Sequence, residues 1–99
     1  MRIISRSALV DFWNIHPEAK DKLEAWYRTC KTCSAGSFHE LKQTFQTADY
    51  VPKLFTVFDV GGNDYRIVTV IHYDKQRVFV REVFTHTQYD RWTKQNRRK

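Results

Sequence analysis

Two short turn sequences interrupt a stretch of strand-forming residues between positions 54 and 85, and this pattern constrains the fold more than any other feature. Residues 61–64 (GGND) and 74–77 (DKQR) separate three runs rich in Val, Ile, Phe and Tyr. Gly and Asn adopt the positive φ of tight turns, and β-branched and aromatic side chains fit a pleated surface. The pattern therefore predicts three antiparallel strands joined by hairpins, at residues 54–60, 65–73 and 78–85.

Apolar residues recur at helical spacing in two segments before these strands. They are Ala8, Leu9, Phe12 and Trp13 in the first segment, and Leu23, Trp26, Tyr27 and Cys30 in the second. Pro17 ends the first helix, because the residue before proline avoids the α region, and it suits the first turn of the second helix. Ser5 or Ser7 is expected to cap the first helix. The aromatic residues follow the helical period, which favours packing over a role in base stacking.

A capping box predicts a third helix. Ser37 precedes Glu40 by three positions, so the serine side chain can accept a hydrogen bond from a backbone amide while the glutamate reaches back. Residues 47–53 are predicted to form a loop into the sheet. The chain is thus predicted to form one α+β domain over residues 1–99, with N-terminal helices packed on a small twisted antiparallel sheet.

The two ends of the chain are predicted to contribute one short element each. Residues 2–4 (RII) are β-prone and predict a further strand in the sheet. Thr87, followed at the third position by Asp90, predicts the start of a short C-terminal helix. Residues 94–99 form a basic end that we expect to be mobile.

Charge is distributed unevenly along the 99 residues, whose net charge is +6. Residues 1–60 contain eight Lys or Arg and seven Asp or Glu, whereas residues 61–99 contain nine and four. The excess of positive charge in residues 61–99 suits a polyanionic partner such as nucleic acid, and equally a solubilising surface with a basic tail. A hydrophobic content of 41% supports a folded core. The lack of an apolar leader or long apolar run predicts a cytoplasmic protein with no membrane partner.

Cys30 and Cys33 form a single C-x-x-C pair. Zinc sites of this kind need a second pair, and a redox motif needs a preceding strand, so we interpret the two as incidental thiols near a helix end. The Asp and Glu residues form no cluster typical of a Mg²⁺ site. No metal and no cofactor are therefore expected.

Arg66 lies within the middle strand, where side chains alternate between two largely apolar faces. This predicts a central strand covered on both sides, so Arg66 needs an anion, a carboxylate or the rim of the sheet as its partner. A four-residue turn after this strand would place Arg66 opposite Thr85. The same turn would place Arg81 opposite Val70, and a three-residue turn would move Arg81 to the other face.

Six segments form a recognisable set that extends over nearly the whole chain. They are residues 1–5 (MRIIS), 11–17 (DFWNIHP), 23–27 (LEAWY), 58–66 (FDVGGNDYR), 78–81 (VFVR) and 85–90 (THTQYD). Together they resemble the HigB family of toxins in the RelE/ParE-like superfamily. The resemblance implies a RelE-like fold, ribosome-dependent cleavage of mRNA during translation, and neutralisation by a HigA-like helix-turn-helix antitoxin. It implies contact with DNA only through the antitoxin complex. The superfamily also contains gyrase poisons, so the fold alone does not decide the function.

Metal-independent RNA cleavage needs a base for the 2′-OH, cations for the phosphorane-like transition state and an acid for the 5′ oxygen. By the resemblance, Arg66 binds the scissile phosphate and His86 acts as acid or base. Tyr89 completes the predicted catalytic set by stacking on a base, orienting the 2′-OH or moving a proton. The alternatives are structural: a salt bridge of Arg66 to Glu82 or Asp64, a capping role for His86, and packing of Tyr89 on the sheet.

Further residues are predicted to contact RNA. They are Asn63, Arg81, Arg91, Lys94, Arg97 and Arg98. Asn63 is also a turn former, and the basic end should contribute salt-sensitive affinity that is independent of sequence. Three rival functions stay open: a non-catalytic RNA or ribosome binder, a gyrase poison and a small metal-dependent nuclease.

Overall fold

The computed structural model describes residues 1–52, 54–62 and 64–97, without the side chains of residues 96 and 97. Its elements are β1 (Arg2–Ile4), α1 (Ser7–Ile15), α2 (Lys20–Thr32), α3 (Phe38–Thr44), β2 (Asp49–Val51), β3 (Phe55–Val60), β4 (Tyr65–His72), β5 (Arg77–Thr85) and α4 (His86–Arg97). Two 3₁₀ turns, Pro17–Ala19 and Tyr73–Lys75, precede α2 and β5. The predicted α+β class, with a short C-terminal helix, is confirmed.

The strands form one mixed sheet in the order β1-β5-β4-β3-β2. The two hairpins are antiparallel as predicted, but β1 pairs with β5 in parallel, so the prediction of a wholly antiparallel sheet is corrected. The long connection between β1 and β5 gives the chain room for this crossover. β2 joins the other edge of the sheet, although its residues were predicted to be loop. Val51 is fully buried in β2, so tertiary burial outweighs the turn signal of the following Pro52.

The turn between β3 and β4 sets the register that builds the site. Gly61 and Gly62 have φ angles of 66° and 71°, in the left-handed region that glycine adopts without a Cβ clash. The resulting hairpin brings Asp59 of β3 directly opposite Arg66 of β4. Paired residues point to the same side of a sheet, so the two side chains meet.

The hairpin between β4 and β5 differs from its predicted register. Arg66 lies opposite Phe84 rather than Thr85. The ladder starts at the His72–Arg77 pair, which alone would place Val83 opposite Arg66, and a bulge further along β5 restores one position. A bulge in β5 leaves Arg81 without a Cα partner, so the predicted pairing with Val70 is wrong. Both shifts depend on local backbone geometry that the alternation of side chains does not report.

The sheet is covered on both faces, as predicted for its central strand β4. One face packs on α1, α2 and α3, where Phe58 is buried and the Trp26 ring meets it edge-on at a centroid distance of 5.2 Å. The other face packs on α4, where Val57 and Val68 are buried against Trp92. The helices before the sheet and the helix after it therefore lie on opposite sides.

The aromatic residues and thiols of the first two helices pack as interpreted from the sequence. Trp26 is buried, and Trp13 and Tyr27 are half-buried against the same core. Cys30 is buried, Cys33 is half-buried, and both thiols are free. Burial raises the pKa of Cys30 to about 12, so this thiol stays protonated at neutral pH.

Capping hydrogen bonds define the starts of α3 and α4. The backbone N–H of Glu40 donates to Oγ of Ser37 at 3.2 Å, which confirms the predicted cap. α4 begins one residue before the predicted Thr87. Its reciprocal box is formed by Thr85 and Gln88, whose backbone N–H groups each donate to the other side chain, at 3.0 and 3.3 Å.

Two predictions about the ends of elements differ from the structure. α1 starts without a side-chain cap, so the prediction for Ser5 and Ser7 is wrong. Ser5 has a positive φ of 71°, and its carbonyl accepts from the N–H of Ala8 at 3.0 Å instead. α4 continues to Arg97, into the segment predicted as a basic tail, and residues 98 and 99 lie outside the described part of the chain.

Candidate functional site

The site is built around an arginine on the central strand. Arg66 is 8% exposed, and its Nε lies 2.9 Å from Oδ1 of Asp59, its partner across the β3–β4 pair. Its Nη1 donates to the carbonyl of Tyr65 at 3.1 Å. A carboxylate thus satisfies Arg66, as one alternative anticipated, but neither Glu82 nor Asp64 supplies it. The hydrogen bonds to the Asp59 carboxylate and to the Tyr65 carbonyl hold the guanidinium in one orientation.

Tyr89 of α4 covers this guanidinium. The Arg66 Cζ lies 5.4 Å from the centroid of the Tyr89 ring, within the range of a cation–π contact. The same ring stacks on Trp92 at 5.9 Å and packs against the buried valines of the sheet. Tyr89 therefore packs on the sheet, as one alternative predicted, and also lines the cleft, while its part in catalysis stays a prediction.

A cleft of about 610 Å³ opens over this pair. Its lining is Lys42, Thr47, Ala48, Asp49, Asp59, Arg66, Tyr89, Asp90, Thr93 and Lys94. Three cations and three carboxylates face the same space, so the cleft carries no net formal charge. The residues come from α3, the loop after it, three strands and α4, which makes the cleft a product of long-range packing.

His86 stands at the rim of the cleft rather than in its lining. Its side chain is 55% exposed, and Nε2 lies 3.3 Å from Oδ2 of Asp90, which does line the cleft. The backbone N–H of His86 donates to the carbonyl of Asp64 at 3.0 Å, which ties the start of α4 to the β3–β4 turn. Asp90 therefore connects the imidazole to the space above Arg66.

Asp59 has an unusual environment for a paired carboxylate. Burial raises the pKa of Asp59 above its ordinary value and Asp49 adds to this effect, while Arg66 opposes it. Asp59 therefore takes up a proton more readily than a surface aspartate.

Of the other predicted RNA contacts, one lines the cleft, two lie outside it, and three have side chains that the structure does not describe. Lys94 lines the cleft, and Arg81 is exposed at the β5 bulge outside it. Arg91 lines a different groove, between α1 and α4, because its position on α4 turns it away from Tyr89. Arg97 is the last residue of α4, but its side chain is not described. Asn63 and Arg98 also lie outside the described residues.

Several residues of the cleft were not predicted. Asp59 had a readable signal, because a four-residue turn over residues 61–64 places it opposite Arg66. Lys42 and Asp49 had none, since only the folding of α3 and β2 against the sheet brings them to the cleft. Asp90 was predicted only as a helix-start residue.

Across the described residues, no three His, Cys, Asp or Glu side chains converge in a way that would hold a metal ion. No helix in the described part of the chain has the length and apolarity to cross a membrane.

Comparison with known proteins defines the class. A family model described as "HigB_toxin, RelE-like toxic component of a toxin-antitoxin system" matches residues 19–92. The chain belongs to this HigB toxin family, which confirms the resemblance inferred from its motifs. It is 34% identical over 102 residues to the "mRNA interferase toxin HigB" of Escherichia coli (strain K12), covering 100% of this chain and 97% of that protein. The "mRNA interferase HigB" of Shigella flexneri matches equally, and that of Escherichia coli O6:H1 is 30% identical over 97 residues, covering 95% and 93%.

Proposed function

We propose that this chain is a ribosome-dependent mRNA interferase that cleaves translated mRNA by metal-independent attack of the ribose 2′-OH. The observation that carries the proposal is Arg66, a buried guanidinium oriented by Asp59 and Tyr89 at the floor of an open cleft. A planar guanidinium held in this way is suited to two oxygens of a phosphodiester. The names of the full-length relatives, mRNA interferases, support RNA as the substrate.

The chemical step has two proton transfers and one charge to stabilise. The 2′ oxygen attacks the adjacent phosphorus and loses its proton to a base. The bond from phosphorus to the 5′ oxygen then breaks, an acid protonates that oxygen, and the products are a 2′,3′-cyclic phosphate and a 5′-OH. Arg66 stabilises the charge that develops on the non-bridging oxygens. His86 supplies one of the proton transfers, with Asp90 orienting its imidazole from the rim.

Asp59 and Tyr89 position Arg66 for this step. Within the chain, the Asp59 carboxylate is the anion that Arg66 binds. When a phosphate takes that place, the Asp59 carboxylate loses its partner, and the raised pKa of Asp59 favours the uptake of a proton. Tyr89 keeps the guanidinium in its plane by covering one face, and Lys42 and Lys94 attract the flanking phosphates.

The partners follow from the same assignment. The ribosome and its mRNA supply the substrate in a fixed position, which fits a site with few acid–base groups. A HigA-like helix-turn-helix antitoxin neutralises the toxin by covering its basic surface, and the site of action is the cytoplasm. The net charge of +5 over residues 61–99 supports an acidic or occluding antitoxin. Co-expression with the product of the neighbouring gene tests this: failure to bind the toxin and to restore growth contradicts it.

The decisive experiment maps new 5′ ends on a defined messenger in a translating system. Parallel reactions omit ribosomes, contain EDTA with ribosome-free RNA, or use Arg66→Ala, His86→Ala and the matched surface variant Lys20→Gln. We expect cuts only on translated messenger. Cleavage should be lost in Arg66→Ala and His86→Ala and should be unchanged in Lys20→Gln. Cuts without ribosomes would support RNase activity but refute its dependence on ribosomes. Blocked translation without cuts would indicate a non-catalytic binder, and unaffected translation would point to gyrase.

A further inference from the structure

A second pocket lies at the opposite edge of the sheet from the cleft. It has a volume of about 640 Å³ and lies between β1, the last turn of α2 and the 3₁₀ turn before β5. Among the described residues its lining is Met1, Arg2, Ile3, Tyr27, Lys31, Lys75 and Gln76. This basic pocket thus contains three cations and no carboxylate.

The three cations come from three different elements that hydrogen bonds hold together. Gln76 donates through its side-chain amide to the carbonyl of Ala35, just beyond α2, at 2.7 Å. Its own backbone carbonyl accepts from the N–H of Arg2 at 2.8 Å. Gln76 adopts a left-handed φ of 54°, which few non-glycine residues do. The positions of Arg2, Lys31 and Lys75 are therefore fixed relative to one another by the fold.

A further cation flanks the basic pocket and forms no ion pair among the described residues. Arg77 is the direct register partner of Arg2 across the β1–β5 pair, and both side chains are exposed. Like charges directly opposite each other destabilise a strand pair. Among the described residues, the ion pairs involve neither of these arginines, nor Lys31 or Lys75. A concentration of positive charge without an internal anion favours an external one.

The aromatic residue of the basic pocket limits how that anion is recognised. The Arg6 guanidinium lies 5.2 Å from the Tyr27 ring centroid, and Nζ of Lys31 lies 5.9 Å from it. Because cations already occupy the approaches to this half-buried ring, it is not a free platform for stacking a base. The pocket is suited to phosphate charges rather than to base edges, and hence to a polyanion whose sequence it does not read.

The basic pocket is too far from the cleft to share its phosphate. Arg2 pairs at Arg77, the start of β5, whereas Arg66 pairs at Phe84, seven residues further along the same strand. At ~3.3 Å per residue and ~4.8 Å per strand spacing, the two arginines are on the order of 20–25 Å apart. This exceeds the Debye length at physiological salt, roughly 8 Å, so the pocket acts as a separate contact.

We propose that the basic pocket binds the phosphate backbone of structured RNA, as a second anchoring contact away from the cleft. The proposal deepens the proposed function and rests on it for the choice of RNA as the polyanion. Arg2, Lys31 and Lys75 make the phosphate contacts, and Gln76 and Tyr27 position them. The contact contributes affinity to the toxin's complex and leaves the chemical step unchanged.

The test is direct binding of an RNA duplex of about 16 base pairs and mixed sequence. Two variants lose the same charge: Lys31→Gln/Lys75→Gln in the pocket, and Lys20→Gln/Lys22→Gln at the other end of α2. At about 100 mM salt we expect the pocket variant to bind roughly tenfold or more weakly, and its plot of log K against log salt to flatten by about 1.5–2. The control should weaken binding less than threefold. Equal losses in the two variants would overturn the proposal, since only net charge would then matter.

Two further readouts separate this proposal from the function on which it rests. On translated messenger the pocket variant should need more protein for half-maximal cleavage, at an unchanged maximal rate. If the wild-type protein cleaves no messenger, the proposed function fails. The duplex measurement still shows whether the basic pocket binds RNA. Tighter binding of polyglutamate than of the duplex would indicate an acidic protein partner and refute RNA. Both lysines are exposed, and Lys75→Gln alone serves if the double variant fails to fold.

Discussion

The cleft and the basic pocket use positive charge in opposite ways. In the cleft each cation shares the space with a carboxylate, and Arg66 is buried, bonded to Asp59 and covered by Tyr89. In the basic pocket the lining cations are exposed, and the described lining contains no carboxylate. Hydrogen bonds fix the backbone that bears these cations, but not their side chains. The two sites lie at different edges of one sheet.

This difference indicates how one small domain can separate chemistry from affinity. A guanidinium that stabilises a transition state must be oriented before the substrate arrives, and burial with an internal counter-ion achieves this at the cost of competition with the phosphate. A contact that only attracts a polyanion needs charge without orientation, because counterion release supplies its free energy. Each half of this contrast has consequences that can be measured.

The largest expected effect is on cleavage when the oriented cation is lost. Arg66→Ala should lower kcat/KM for translated messenger by about 10²–10³-fold, since it removes a group that acts in the transition state. Arg66→Lys should recover only part of this loss, because an ammonium lacks the planar fork. The double variant Asp59→Asn/Arg66→Gln, which removes both charges, should fold well and stay inactive. Activity of Arg66→Ala within threefold of wild type would show that the cleft is not the reaction site.

The next effect is on stability when the internal counter-ion is removed. Asp59→Ala should lower the free energy of unfolding by roughly 2–3 kcal/mol, because it leaves Arg66 buried and unpaired in a partly solvated site. Asp90→Ala is the matched control: its partner His86 is largely exposed, so the loss should stay below about 1 kcal/mol. Urea unfolding measures both. Equal losses would mean that the Asp59–Arg66 pair is no more structural than a surface contact.

A smaller effect is expected on the pH dependence of RNA binding in the cleft. Burial raises the pKa of Asp59, and a bound phosphate raises it further, so binding takes up a proton and becomes tighter as the pH falls towards that pKa. For RNA with a 2′-deoxy nucleotide at the cut site, we expect binding to tighten as the pH is lowered from about 8 to about 5. Asp59→Asn should abolish the part of this increase that depends on the carboxyl. An unchanged pH profile in that variant would remove Asp59 from the binding step.

The smallest effect concerns the stability of the basic pocket. Lys31→Gln/Lys75→Gln should raise the free energy of unfolding by a few tenths of a kcal/mol at low salt, because it relieves repulsion between exposed like charges. The gain should vanish at about 0.5 M salt, where the charges are screened. A loss of more than about 1 kcal/mol would mean that these lysines have stabilising partners within the chain, and the contrast with the cleft would disappear.

The parts of the fold that the sequence predicted are those governed by local pattern. The paired Gly61–Gly62 turn, the apolar residues on both faces of β4 and the Ser37 cap each depend on residues close in sequence, and the structure confirms them. Short-range signals failed where the tertiary context decided. β2 forms because Val51 finds a buried position against β3, and Arg81 loses its partner because of a bulge.

The site shows the same division. The sequence predicted Arg66 and Tyr89 as members of one catalytic set, and in the structure the two side chains are in contact. Arg91 was predicted with the RNA contacts, yet it faces a groove on the other side of α4 from the cleft. His86 was predicted as a member of the catalytic set, and the structure places it at the rim, connected through Asp90. Its part in catalysis stays a prediction.

The sequence by itself determined the α+β class, the two hairpins, the amphipathic helices and the family to which the chain belongs. Each is written in periodicity, turn chemistry or a contiguous motif, which act over a few residues. Only the tertiary structure decided that Asp59 is the counter-ion of Arg66, that Lys42 from α3 and Lys94 from α4 share one cleft, and that Arg2, Lys31 and Lys75 meet at the other edge. The reason is physical: charge and burial depend on which distant segments pack together, and no local pattern records that packing.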